Sequence, residues 1–310
     1  MKSGLTARRP MAMGLLALVL TNLFWSGNYI FGHLAVATMT PIELTFFRWT
    51  LAAVPLLLMG WFLERPDWRA VLRAIPRLCV LSACGLAGYN VLLYWALQLT
   101  SPFNATLVGS ISPLLIAVGG ATFLHQRMSR LDVLGILAGL LGVVIVLTHG
   151  AVWQILSLHL GLGDVLILVT TVMWVVYTLL ARWVSEIPPI TATGMEAALG
   201  SIILAPFAVA TQAKWPEDPQ ALWSLLFIVA LPSVVSFALW NLTVPKVGPA
   251  LAGASINLMP VFTAAAQVAM GTPLLWSQII GGAIVVIGVL LTAMPAAPHP
   301  LQALRAHPRR

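Results

Sequence analysis

Charge is what this sequence has least of. Only 8% of its 310 residues are charged, and nine are acidic. Soluble domains carry about 25% charged residues, so composition excludes an ordinary water-soluble domain. Cysteine is nearly missing. Cys79 and Cys84 lie five apart in one apolar stretch, a spacing that suits neither a bridge within a helix nor a metal site. Sequence signatures of catalysis are absent as well: there is no GxxxxGK[ST], HExxH, GxSxG or aspartate-rich pattern. The chain thus brings no ATP site of its own. Gly161-Leu162-Gly163-Asp164 spells an intramembrane aspartyl protease signature, but Asp67, Asp132 and Asp218 fall in loops and offer no second acid. Asp164 is read instead as a helix N-cap. The net charge of +7 does not indicate nucleic acid, because the basic residues are scattered between apolar runs and at the two ends.

What fills the chain is apolar: 60% of residues are hydrophobic and the mean hydropathy is +0.95. A membrane-crossing helix needs ~20 mostly apolar residues. Ten such segments are expected, at about 11–37, 41–62, 78–99, 103–124, 131–148, 164–181, 190–211, 221–243, 249–270 and 277–294. Pro41, Pro102, Pro189, Pro219 and Pro249 each stand at a break, where proline suits the first turn of a new helix. Fourteen of the sixteen Lys and Arg residues fall in alternate connections or at the ends. Lys214 is in the other set and Arg48 is inside a segment. The bias predicts both termini in the cytoplasm. Trp61, Trp68, Trp153, Trp183, Trp215, Trp223 and Trp276 sit at segment ends, as an interfacial belt requires. No cleavable leader is expected, since the apolar run after Arg8 and Arg9 is long and lacks a small-x-small site.

The two halves are alike. Ser101-Pro102-Phe103-Asn104-Ala105 leading to Pro113 matches Gly248-Pro249-Ala250-Leu251-Ala252 leading to Pro260, and Gly135 and Gly142 match Gly281 and Gly288. Residues 1–150 and 151–294 are therefore expected to be five-helix repeats, with a cytoplasmic tail at 295–310. Five is odd, so the second repeat should enter the membrane inverted. The fold class expected is an all-α membrane protein of ten transmembrane helices in two inverted five-helix repeats.

Trp25-Ser26-Gly27-Asn28, Arg48, Pro113, the Gly135/Gly142 pair and their counterparts Trp174, Pro260 and Gly281/Gly288 carry a family resemblance. Over essentially its full length the chain resembles an EamA-type member of the drug/metabolite transporter superfamily. Within it, the chain looks most like bacterial aromatic amino acid and paraquat exporters. One departure is plain: His125 and Thr272 stand where the family commonly has Glu. The resemblance implies a secondary transporter in the bacterial inner membrane, with no cofactor and no enzymatic activity. Its partners are a small-molecule substrate and the lipid bilayer, with no nucleic acid, and it would act as a monomer or homodimer.

Inside the bundle, polar and aromatic residues recur at helical spacing. They are Asn22, Trp25 and Ser26; Asn90, Tyr94 and Gln98; Ser110; Trp174 and Thr178; Ser236 and Trp240; and Asn257. Pro113 and Pro260 lie about eleven residues into their segments, at ~16 Å depth, and suggest breaks near the midplane. Such residues either wall a wet cavity or hydrogen-bond helix to helix. A cavity of this make-up suits amphipathic solutes, with amino acids bearing aromatic or bulky apolar side chains first, and export the expected direction. Three ionisable groups stand out. Arg48 either attracts a substrate carboxylate or pairs with Glu43 or backbone carbonyls. Glu196 is the natural proton carrier if transport is proton-coupled, as in a multidrug exporter. His33 reads as a polar gate or packing residue. A membrane-embedded enzyme, the remaining alternative, finds no paired acids or metal cluster in the sequence.

Overall fold

A computed structural model describes residues 3–124, 130–151, 161–247, 252–253 and 255–293. Pro249, His125, Trp153 and the tail at 295–310 lie outside the described residues. All regular structure among the described residues is helical. In chain order it comprises α1 (Ser3–Ala35), α2 (Pro41–Glu64), α3 (Trp68–Leu81), a π-helical stretch at Ser82–Gly88, α4 (Tyr89–Leu97), α5 (Pro102–Gly109), α6 (Ser112–Leu124) and α7 (Arg130–Leu147). The second half holds α8 (Leu162–Leu180), a 3-10 turn at Ala181–Val184, α9 (Pro189–Ala210), α10 (Pro219–Ile228), a π-helical stretch at Val229–Val235, α11 (Ser236–Val247), α12 (Leu258–Ala269) and α13 (Trp276–Ala293).

Local chemistry explains where these helices start. Pro41, Pro102, Pro189 and Pro219 are each the first helical residue. Thr40 and Glu43 form a reciprocal capping box at α2. Ser101 caps α5 through the Asn104 amide, and Asp218 caps α10 through the Ala221 amide. The α9 cap comes from another helix. Glu64, the last residue of α2, accepts the Ile190 amide at 2.9 Å and the Thr191 amide at 2.7 Å. Asp164 is three residues inside α8 rather than at its cap: the helix begins at Leu162, and the carboxylate accepts the Gly161 amide at 3.2 Å.

Six helical runs are long and apolar enough to cross a membrane: Ala12–Ala35, Pro41–Glu64, Trp68–Leu97, Leu162–Val184, Pro189–Ala210 and Pro219–Val247. Shorter apolar helices occupy Pro102–Ile116, Val133–Val146, Leu258–Ala269 and Trp276–Gly288. These runs fall on the ten expected segments. The third begins at Trp68 rather than near residue 78 because its first turns are amphipathic. Val71, Ala74, Leu78 and Leu81 are buried at helical spacing, while Arg69 and Arg73 face out. Leu51, Val54 and Leu58 of α2, Ile202 and Val209 of α9, and Leu137 and Leu141 of α7 are turned outward. An outer surface of this kind is stable against lipid rather than water, so this is a membrane protein.

Two of the helix pairs that join the halves pack most extensively. In the first, α2 packs along α9, with Gly60 against Thr191 and Gly194 against the Leu57 backbone. In the second, α7 crosses α13 at backbone distance. A Cβ on Gly142 would stand 2.5 Å from the Gly281 carbonyl oxygen, and one on Gly281 would stand 2.6 Å from that of Gly142. A Cβ on Gly288 would meet the Gly135 carbonyl oxygen at 2.6 Å. The four glycines of the sequence match thus meet crosswise within one chain, Gly142 against Gly281 and Gly135 against Gly288.

The helix interruptions recur with the repeat. The π-helical stretches Ser82–Gly88 and Val229–Val235 are 147 residues apart. Residues 110–111 interrupt α5 and α6, and 256–257 precede α12. Pro113 and Pro260 therefore do not kink continuous helices: each sits in the first turn of a restarted helix, where its missing amide hydrogen is no loss.

Candidate functional site

Side chains from both halves meet around a central cavity of about 830 Å³, including the space where it opens outward. Trp25, Asn28 and Tyr29 of α1 line it, with Arg48 and Trp49 of α2. Gly85, Tyr89 and Asn90 come from the third run, and Thr106, Ser110 and Ser112 from around the break after α5. The second half contributes Thr170, Thr171 and Trp174 of α8, Phe237 of α11, and Ile256 and Met259 beside the second break.

Aromatic rings form two walls. The Trp25 ring packs on Trp240 at 5.1 Å and edge-on to Phe237 at 5.6 Å. Opposite, Trp174 stacks between Tyr89 at 5.6 Å and Tyr177 at 5.4 Å. The Tyr89 hydroxyl meets that of Tyr29 at 3.0 Å. Gly85 leaves room for the Tyr177 ring, which occupies the place of its absent Cβ.

The π-helical stretches help position these walls. A π turn widens the helix and spoils the regular i to i−4 pairing, leaving carbonyls available. Trp49 Nε1 donates to the Leu86 carbonyl at 3.2 Å, and Asn90 Nδ2 shares that acceptor at 2.7 Å. In the second half, Trp25 Nε1 donates to the Pro232 carbonyl at 3.2 Å. Each half thus anchors an indole on an irregular turn.

Arg48 is the centre of the polar network. It is 3% exposed and donates from Nε to Ser233 Oγ at 2.8 Å. Its Nη1 reaches Asn28 Oδ1 at 2.9 Å, Asn90 Oδ1 at 2.6 Å and the Tyr94 hydroxyl at 2.7 Å. The Tyr94 hydroxyl donates in turn to Asn28 Oδ1 at 2.8 Å. The guanidinium carbon stands 4.5 Å from the centre of the Trp49 ring, in cation–π range. Glu43 is not among these partners; it serves its own capping box and the Lys214 amide.

Of the residues singled out by sequence, Trp25, Arg48, Asn90, Ser110 and Trp174 line the cavity. Trp240 backs Trp25, and Tyr94 is held against Arg48. Others join helix to helix. Asn22 donates to Ser255 Oγ at 2.9 Å, Ser26 to the Met259 carbonyl at 3.2 Å, and Ser236 to the Thr21 carbonyl at 3.4 Å. Gln98 donates to the Val36 carbonyl and His33 Nδ1 meets the Leu97 carbonyl, both near the end of α1 and away from the cavity. Thr178 is exposed and bonds back to the Trp174 carbonyl. Asn257 is buried just before α12. Glu196 is 2% exposed and takes the Tyr177 hydroxyl at 2.9 Å. Asn28, Trp49, Tyr89, Thr106, Thr170 and Phe237 line the cavity without having been singled out by periodicity. For Asn28 a signal existed, since it lies three residues beyond Trp25 on the same face.

Comparison with known proteins adds a second line of observation. The profile of the EamA-like transporter family matches residues 12–148 and again 161–294. The uncharacterized transporter YyaM of Bacillus subtilis is 28% identical over 273 residues, covering 87% of this chain and 90% of that protein. A probable terminal-alkyne amino-acid exporter of Streptantibioticus cattleyicolor is 26% identical, covering 89% and 91%. The aromatic amino acid exporter YddG of Ancylobacter novellus is 27% identical over 190 residues, covering 60% of this chain and 65% of that protein.

Proposed function

Since the chain belongs to the EamA-like transporter family, we propose that it is a secondary exporter of small amphipathic solutes, with aromatic and bulky apolar amino acids the leading substrates. The observation that carries this reading is the cavity. Its indole and phenol rings suit an apolar side chain, and its amides, hydroxyls and guanidinium suit a polar head. The names of two relatives point the same way.

In this reading the protein sits in the bacterial inner membrane with both termini in the cytoplasm, a topology supported by the Lys and Arg bias. Ten helices form two inverted repeats that rock around the cavity and open it to each side in turn. The recurrence of π turns and helix breaks about 147 residues apart supports the repeat. The purified protein in liposomes loaded with unlabelled amino acid should draw in labelled phenylalanine, tyrosine, tryptophan or leucine by counterflow. Failure with a full amino-acid panel, while nucleosides or organic cations move, overturns the substrate class.

A second reading, export driven by protons, is favoured by Glu196. It is a buried carboxylate with no ion pair among the described residues, and its hydrogen-bond partner Tyr177 packs behind Gly85 and Trp174 of the cavity wall.

A further inference from the structure

We infer that Arg48 and Asn28 form a carboxylate anchor in the cavity wall, so that this protein selects substrates by an acid group rather than an amine. The inference rests on the transporter reading above and names the chemistry of its site. A guanidinium out of water needs compensation, which proteins usually supply with a carboxylate. Among the described residues none is supplied. The ion pair among the described residues is Arg77 with Glu186, far along the chain from Arg48. Every described hydrogen-bond partner of Arg48 is neutral. Among the described cavity-lining residues Arg48 is the one charged side chain.

The network also leaves donors unused. Nε and Nη1 are taken, whereas Nη2 makes no hydrogen bond to a described residue. The Asn28 amide has the same character. Its Oδ1 accepts from Arg48 and Tyr94, which fixes the amide orientation, and its Nδ2 has no described partner. Both nitrogens keep open surface, and both residues line the cavity. Asn28 Oδ1 is bonded to Arg48 Nη1, so the two free donors belong to adjacent groups. Two neighbouring N–H donors, one of them cationic, match the two oxygens of a carboxylate. The bonds from Arg48 to Ser233, Asn90 and Tyr94 hold the guanidinium in place before the ligand arrives. The ring of Trp25, three residues before Asn28, lines the same cavity and can take the apolar body.

The test uses the native protein in detergent and three probes with one phenyl ring and one two-carbon chain: phenylalanine, 3-phenylpropionate and phenethylamine. Thermal stabilisation by each is measured at neutral pH, alongside phenylalanine counterflow in liposomes. The two acids should stabilise the protein, and the amine should need at least about tenfold higher concentration for the same effect. Arg48→Gln and Asn28→Leu should each erase the preference for the acids. Because the comparison between probes is made on the native chain, it stands even if a variant fails to fold. Equal stabilisation by acid and amine, or none by any probe, overturns the anchor. Stabilisation by the acids without counterflow overturns amino-acid export and leaves the anchor standing.

Discussion

A buried charged side chain in a membrane bundle has to be accounted for by its neighbours, and among the described residues Arg48 and Glu196 are such side chains. Arg48 was visible in the sequence as a cation inside an apolar run, but its surroundings were not. Its partners come from α1, α4 and the second π-helical stretch, separated by 20 to 185 positions in sequence. Glu196 was equally visible and has a sparser setting, the Tyr177 hydroxyl on its carboxylate and the Ser82 hydroxyl on its backbone carbonyl. A lone carboxylate in apolar surroundings changes its interaction with the bundle when it gains or loses a proton. Glu196→Gln fixes the neutral form with little change in shape. If export is proton-driven, the variant should lose about tenfold or more of transport driven by a pH gradient, while counterflow without a gradient persists. Full gradient-driven transport in the variant would end the proton reading.

At the scale of elements, the spacing of apolar residues and the prolines located the helices, and small residues located the crossings. The glycine pairs were legible as a repeat, but only the fold decided that they face each other. Because backbone meets backbone there, Gly281→Leu has nowhere to put its side chain. The α7–α13 contact should open at a cost of about 1–3 kcal/mol, read as a lower unfolding temperature in detergent. Gly253→Ala meets nothing within 4 Å and should change that temperature little. The π-helical stretches were not legible. Their sequences, Ser82-Ala83-Cys84-Gly85-Leu86-Ala87-Gly88 and Val229-Ala230-Leu231-Pro232-Ser233-Val234-Val235, share no motif, and an extra residue per turn leaves no periodicity to count. The start of α3 was hidden for the opposite reason: its arginines read as a loop while its buried face was already helical.

For the whole molecule, orientation is the quantity that the inverted-repeat account depends on. Single cysteines placed near each end of the chain, in a background lacking Cys79 and Cys84, should both react only with reagents that reach the cytoplasm. Labelling of the two ends from opposite sides of the membrane would rule out an inverted second repeat. Inward-facing residues were harder to anticipate than helices. Asn90, Tyr94 and Gln98 share one stripe, yet Asn90 reaches the cavity, Tyr94 locks Arg48, and Gln98 ties down the end of α1. A stripe specifies a face, and depth along that face specifies the task.

By itself the sequence determined that this chain lives in lipid, how its apolar runs are spaced, and that its halves are related, because transfer from water and proline geometry act on each residue locally. Tertiary structure alone decided which polar groups are spent on one another and which remain open. A hydrogen bond between distant positions depends on how helices pack, and no local rule encodes that. The unused donors of Arg48 and Asn28 exist only once four separate segments have closed around them.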